Sequence, residues 1–307
     1  MKKLSLVLAI FCISYSGFSQ DEPEQTRSNI QEYTPSKLLK KGQWDIKSFN
    51  SIYTQTERTD EGSKSVKIDR ETFLTNTTEV YTGVSNNSRI NIGLIFQFRA
   101  NTFGGAGALE VLKLKDEGNA RSGLTTVAPS IRVQPFASLP NFSLTSSVYF
   151  PVFKDKPNAP YLDKRSVFWE TKFFYDKTFG GDKWQLFTEL DFGLNFGKKK
   201  INENNIDTSG LDFNNNERFA NNSAFVPVSV FISFFPSPKT TVFANAKQAF
   251  LIDLGNDFSQ NSTSVGIGGK YQLTKVINIE ASFDKFVRGH SFQGLGQTFS
   301  AGFRLLF

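Results

Sequence analysis

Apolar and polar positions alternate along most of the chain after residue 44, with the period of two that sets successive side chains on opposite faces of a strand. The clearest run is 89–101: Ile90, Ile92, Leu94, Phe96 and Phe98 share one face, Asn91, Gly93, Gln97 and Arg99 the other, with Ile95 as the exception. In 184–196, Trp184, Leu186, Leu190, Phe192, Leu194 and Phe196 oppose Gln185, Glu189, Asp191, Gly193 and Asn195. Two further runs, 265–273 and 277–284, form a hairpin about Thr274-Lys275. The last, 298–307, puts Phe299, Ala301, Phe303, Leu305 and Phe307 opposite Thr298, Ser300, Gly302 and Arg304. Weaker alternation occupies 125–136, 142–150, 167–175, 224–235 and 242–250, and the poorest is in 44–56 and 71–82. Together these predict twelve antiparallel strands.

The connections alternate in length. Long ones fall near 57–70, 102–124, 152–165, 197–223, 252–263 and 288–297; the short ones are 85–88, 139–141, 180–182, 236–238 and 274–275, rich in Asn, Gly, Pro and Asp. Short turns at one rim and long loops at the other are the pattern of a transmembrane β-barrel, which crosses the bilayer in about 9 to 11 tilted residues per strand. Trp44, Tyr81, Tyr175, Trp184 and Tyr271 fall at strand ends on the short-turn side, the expected position of an aromatic girdle. The fold class expected is therefore all-β, a single barrel over 44–307. A soluble β-sandwich would share the alternation, but not so many similar hairpins with small polar residues on one face and unpartnered Phe, Ile, Val and Leu on the other.

The amino terminus changes the compartment. Lys2 and Lys3 precede an apolar run from Leu4 to Ile13, and Gly17 and Ser19 precede Gln20. This reads as a cleaved signal peptide over 1–19, its apolar run too short to span a bilayer. A lipoprotein signal at Cys12 would need small residues where Ala9-Ile10-Phe11 stand. Residues 20–43 then form a periplasmic segment in which Thr34, Pro35 and Gly42 suggest a short helix presenting Leu38 and Leu39 to the barrel mouth or a partner. An even strand number places both termini in the periplasm.

Composition narrows the chemistry. There is one Cys, in the leader, one His and one Met, so no disulfide, thiolate nucleophile or multi-histidine metal site is available. The net charge of +6 includes Lys2 and Lys3 and is spread too thinly to argue for nucleic acid. The Asn- and Asp-rich loop 198–223 lacks the spacing of an EF-hand and reads as solvated surface. His290 beside Ser291 is the sole Ser–His neighbour pair, and adjacent strand residues point apart, so no esterase is expected. No cofactor is expected.

The segment 299–307, Phe-Ser-Ala-Gly-Phe-Arg-Leu-Leu-Phe, resembles the terminal signature of bacterial outer-membrane β-barrels, and this resemblance covers 44–307. It implies that Phe303, Leu305 and Phe307 form the signal read by the barrel-assembly machinery, and that outer-membrane lipid surrounds the barrel. Mature Gln20, the run Pro35-Ser36-Lys37-Leu38-Leu39-Lys40-Lys41-Gly42-Gln43-Trp44 and the following Tyr53-Thr54-Gln55-Thr56 resemble Bacteroidota outer-membrane proteins, most nearly the phenol meta-degradation-pathway type of transporter. That implies carriage of small, often aromatic, solutes.

The phasing puts Glu71, Arg99, Arg132, Glu170, Lys172, Glu189, Asp191, Lys247, Lys270, Glu280, Asp284, Arg288 and Arg304 on the lumen side, with both signs in near balance. They read as a salt-bridged lining, or alternatively as a solute path led by Arg99, Arg132 and Arg304. The apolar insert 108–115 in the Gly-rich loop 102–124 either folds inward as a constriction or rests on the rim. The function expected is a channel for small solutes narrowed by that loop; the alternative is a closed barrel whose loops or tail bind a partner.

Overall fold

A computed structural model describes residues 36–154, 156, 159–197, 222–254, 259–291 and 294–307. The leader, Thr34-Pro35 and most of the Asn-rich loop lie outside these residues. Twelve strands run in chain order: β1 (Trp44–Thr59), β2 (Ser65–Gly83), β3 (Ile90–Thr102), β4 (Ala120–Val133), β5 (Phe142–Pro151), β6 (Val167–Phe179), β7 (Trp184–Phe196), β8 (Ser223–Ser237), β9 (Thr240–Asp253), β10 (Ser259–Gln272), β11 (Ile277–His290) and β12 (Gln297–Leu306). Each pairs antiparallel with its neighbours, and β12 closes on β1 through Asp45↔Leu306 to Thr54↔Gln297. Closure satisfies every strand edge, which a bilayer demands because it offers no water to unpaired backbone groups.

Both described ends of the barrel wall and the short turns share one rim, here the turn end; the long connections share the loop end. Most strands exceed the roughly 9–11 residues needed to cross a bilayer, so they stand above it at the loop end. Ile92, Leu94, Leu190, Phe192, Ile232, Val242, Ile267, Ile279 and Phe283 form an exposed apolar belt. Trp44, Tyr175, Trp184 and Tyr271 are exposed near the turn end, but Tyr81 is 1% exposed and points inward, so it leaves the expected girdle.

The barrel is inverted relative to a soluble protein, with its polar residues packed at the centre. Buried positions on neighbouring strands include Asp45, Asn91, Ser130, Glu170, Asp176, Asp191, Asn245 and Asp284. Dispersion and hydrogen bonding, rather than water expulsion, hold such a wall against lipid. Proline interrupts it twice. The β4–β5 ladder lacks partners between Val127 and Ser130, around Pro129, and the β7–β8 ladder between Leu190 and Gly193, opposite Pro227, as expected where proline removes a donor.

Two departures from sequence phasing have local causes. A bulge leaves Val287 unopposed between Ser264↔Phe286 and Thr263↔Arg288, which moves Arg288 off the lumen side to an exposed position. The strand also continues to His290, through residues whose glycine suggested loop. Residues 36–43 contain no helix.

Candidate functional site: the barrel lumen

At the turn end the chain enters its own barrel before building it. Ser36, Leu38 and Leu39 are buried, and Leu39 packs with the inward residues Tyr81 and Leu306. Lys41 bridges Gly83, whose absent side chain leaves room for the carbonyl of Lys40; any Cβ there would collide with it. Of the options read from the sequence, Leu39 thus seats in the barrel mouth.

Above this seal lies an ionic layer. The Asp45 carboxylate, 1% exposed, accepts from Arg304 Nε at 2.7 Å and Nη2 at 3.0 Å, and from Arg132 Nη1 at 3.4 Å. Arg132 Nη2 also donates to Glu79 Oε2 at 2.6 Å, and its guanidinium stacks 3.4 Å from the Tyr81 ring centroid. Lys47 lies 3.8 Å from Asp45 and 3.9 Å from Glu79. On the adjoining wall Lys172 is shared by Asp191 at 3.0 Å, Glu189 at 3.2 Å and Glu170 at 3.7 Å, and Tyr149 donates to Glu170 at 3.2 Å. Asp45, Lys47 and Glu79 were not among the sequence candidates because β1 and β2 alternate poorly. Their signal was the two-residue spacing of Asp45 and Lys47 with Glu79 opposite Lys47.

The opposite wall is aromatic. Phe187 and Phe231 pack at 5.6 Å between centroids, Phe231 and Phe243 at 6.0 Å, with Lys247 5.7 Å from the Phe231 centroid and Lys270 5.8 Å from that of Phe243. Lys270 pairs with Glu280 at 3.0 Å and Lys247 with Asp284 at 3.2 Å. Phe187, Phe231, Phe243, Lys270 and Glu280, with Phe49, Phe235, Thr241, Lys47 and Arg304, line a cavity of about 200 Å³. The expectation that Phe would face outward is corrected here. Phe49, Phe187 and Phe231 stand in phase with Lys47, Glu189 and Ser229, and so belong to the lumen.

At the loop end the constriction comes from the β5–β6 connection, not from loop 102–124. Arg99 Nε lies 3.0 Å from Asp163, Asn101 Nδ2 donates to the carbonyls of Tyr161 at 2.8 Å and Leu162 at 3.0 Å, and Arg121 donates to the carbonyls of Lys154 and Pro160. All three anchors point inward, and Leu162 is 2% exposed against Gly123. The insert in loop 102–124 forms a short 3-10 helix, Ala108–Lys113, on the outside of the wall. Its Val111 packs on Leu74 and Ala100, with Ile52 and Phe98 alongside. These four share the register of the outward Phe299, so the helix cannot obstruct the lumen.

All three arginines proposed to lead a solute path are thus tied to carboxylates. Burial lowers the Lys164 ammonium in the inward loop to about 8, the Asp163 carboxylate opposing the fall and Arg99 adding to it. Released from the wall, Lys164 titrates near its ordinary 10.5. Docking therefore sheds a proton between these values, so the docked loop is favoured as pH rises from about 8 towards 10.5 and gains nothing further below 8. Conductance recorded at pH 7 and 9.5 is expected to fall at the higher pH, and Lys164→Met to lose that dependence.

The Ser–His neighbours read from the sequence can be placed. His290 Nδ1 lies 3.3 Å from Ser63 Oγ in an exposed turn, and among the described residues no carboxylate is bonded to that ring. Ser291 follows in the left-handed region at φ 49° and is buried. Phe303 and Leu305 face outward on β12, and Phe307 is 58% exposed at the rim.

No family model and no curated protein sequence matches the chain. Among solved structures, an outer-membrane channel from Pseudomonas putida F1 superposes with a TM-score of 0.63 at 11% identity, covering 94% of this chain and all of that one. The β-domain of a Bordetella autotransporter superposes with a TM-score of 0.54 at 12% identity, covering 86% of this chain and 99% of that one. The likeness is one of fold: a closed twelve-stranded outer-membrane barrel.

Proposed function

We propose that the protein is an outer-membrane channel passing small solutes by passive diffusion, with the turn end and both termini in the periplasm. The leader over 1–19 would direct export, and Phe303, Leu305 and Phe307 would be read by the barrel-assembly machinery. The observation that carries the reading is the lumen cavity, where an aromatic wall faces paired charges across about 200 Å³. Flat apolar rings offer dispersion to a ring or short chain, while ion pairs accommodate a polar group without fixing one sign of charge. Small amphipathic solutes, aromatic ones included, suit that chemistry, in keeping with the resemblance to phenol-pathway transporters.

The test is planar-bilayer recording of the refolded chain from Gln20, with folding checked by heat-modifiable gel mobility. Discrete conductance steps are expected, with weak selectivity because the lumen charges nearly balance. Silence from folded protein would sink the channel reading. It would favour a closed binding barrel, for which the covering of both mouths, by Leu39 and by Leu162 with Asp163, already speaks.

A further inference from the structure

The lipid-facing surface of β1 and β2 carries a group of residues that lipid cannot satisfy. Lys47 and Phe49 point into the lumen cavity, so Ser48 and Asn50 between and beyond them point outward, opposite Thr78 and Asn76 on β2. Asn50 stands six residues from Trp44 at the turn-end girdle. At about 3.3 Å per residue and a tilt near 40°, that is roughly 15 Å above the girdle, within an apolar band about 25 Å tall.

The four side chains bond to one another. Asn76 Nδ2 donates to Asn50 Oδ1 at 2.9 Å and to Ser48 Oγ at 3.1 Å, Thr78 Oγ1 donates to Asn76 Oδ1 at 3.1 Å, and the Ser48 and Thr78 hydroxyls lie 3.1 Å apart. One group is left over. The Asn50 carboxamide is exposed, and among the described residues its Nδ2 has no acceptor. Two donor hydrogens aimed into hydrocarbon are costly, because acyl chains accept no hydrogen bond.

We propose that a second copy of this chain covers this face, forming a two-fold dimer whose axis runs along the membrane normal beside Asn50. Such an axis preserves height, so Asn50 meets Asn50 of the partner subunit at the same depth. A carboxamide is self-complementary: each Nδ2 donates to the other's Oδ1, whose second lone pair is still free after Asn76. A carboxylate or ammonium at this position would repel its own copy.

The surroundings fit close approach. From Asn50 the outward row along the sheet continues, descending towards the turn rim, as Ala301, Ala281 and Gly269, small residues that let backbones near one another, as they do at other membrane interfaces. The two-fold axis sets the β12 side of one copy against the β2–β3 side of the other. The proposal stands apart from the channel reading, since a closed barrel would dimerise equally well.

Cysteine cross-linking tests it, because the sequence has one cysteine. In a Cys12→Ser background, Asn50→Cys should give a disulfide-linked dimer on mild copper-phenanthroline oxidation in whole outer membranes, its thiol hydrogens and electrons passing to the oxidant. The yield should exceed that of Leu190→Cys, also exposed and likewise six residues from a turn-end tryptophan on the opposite wall, by about tenfold, a difference of roughly 1.4 kcal/mol in association. Asn50→Leu with Asn76→Leu should fold, by heat-modifiable mobility, yet run at half the protein mass of the parent by light scattering in detergent. Equal cross-linking at the two positions, a product with the mass of another protein, or a monomeric parent would each overturn the proposal.

Discussion

Replacing Arg99, Asn101 and Arg121 by alanine together raises single-channel conductance several-fold, while deleting residues 106–117 leaves it unchanged. The contrast follows from which side of the wall each connection occupies. The β5–β6 loop enters the barrel and is held there by side chains of β3 and β4: an ion pair from Arg99 to Asp163 and donations from Asn101 and Arg121 to carbonyls of Lys154, Pro160, Tyr161 and Leu162. These side chains tie four backbone carbonyls of the loop to the wall. Each neutral bond contributes about 0.5–1.5 kcal/mol and those to charged groups more. Removing all three should therefore release the loop and widen the narrowest cross-section. The 3-10 helix Ala108–Lys113 rests on outward Leu74 and Ala100, and its loss exposes wall without touching the lumen. The measurement is step size in a planar bilayer for the three barrels side by side. Equal steps from the anchor variant and the parent would show that the loop does not set the resistance; larger steps from the helix deletion would put the constriction in the wrong connection.

The barrel itself was legible in the sequence, because its physics is periodic and cumulative. Twelve stretches of alternation, five short turns and the final Phe-rich strand each carried the same message, and all twelve strands form where alternation was read, with ends shifted by up to about six residues. What alternation could not supply was the direction of a loop. Loop 102–124 contains the apolar insert that looked fit to plug the lumen, and loop 152–165 contains no such run, yet the second folds inward. It does so because Arg99 sits two residues from Asn101 on the lumen face of β3 and Arg121 stands directly opposite Asn101 on β4, a constellation that appears only when the two strands are paired as Asn101↔Arg121. Tyr81 teaches the same lesson from the other side. Its place at a strand end suited a girdle, but its parity on β2 matches Glu79, and a lumen arginine supplies the partner that a membrane interface would otherwise provide. The tetrad at Ser48 and Asn50 was visible only as poor alternation. The poor score had a cause: in the middle of β1 the apolar residue, Phe49, points to the lumen and the polar ones to lipid.

Arg132→Ala should be the most damaging single substitution in the lumen. Its guanidinium is the only described cation that binds Asp45, binds Glu79 and covers Tyr81 at once. Removing one partner of a buried ion pair costs roughly 3–5 kcal/mol when the remaining charge stays dry. Lys47 and Arg304 remain near Asp45, so the expected loss lies at the lower end, about 3 kcal/mol. It should appear as a lowered urea midpoint for the shift from compact to unfolded mobility on unheated gels. The sign of the lining changes as well. With Arg132 gone the ionic layer holds Asp45 and Glu79 against Lys47 and Arg304, and the adjoining cluster already sets Glu170, Glu189 and Asp191 against one Lys172. The lumen should therefore turn towards cations, with the reversal potential in a potassium chloride gradient moving in that direction. Adding Glu79→Gln removes the carboxylate that has lost its closest cation and keeps only the longer contact to Lys47, and should restore most of the stability and part of the reversal potential. Arg132→Lys should restore charge but not the stack on Tyr81 or the reach to two carboxylates, because a single ammonium lacks the planar fork that serves them both. If the paired variant is no more stable than Arg132→Ala alone, packing against Tyr81 rather than charge pairing is what Arg132 contributes, and the two terms are separated by that one comparison.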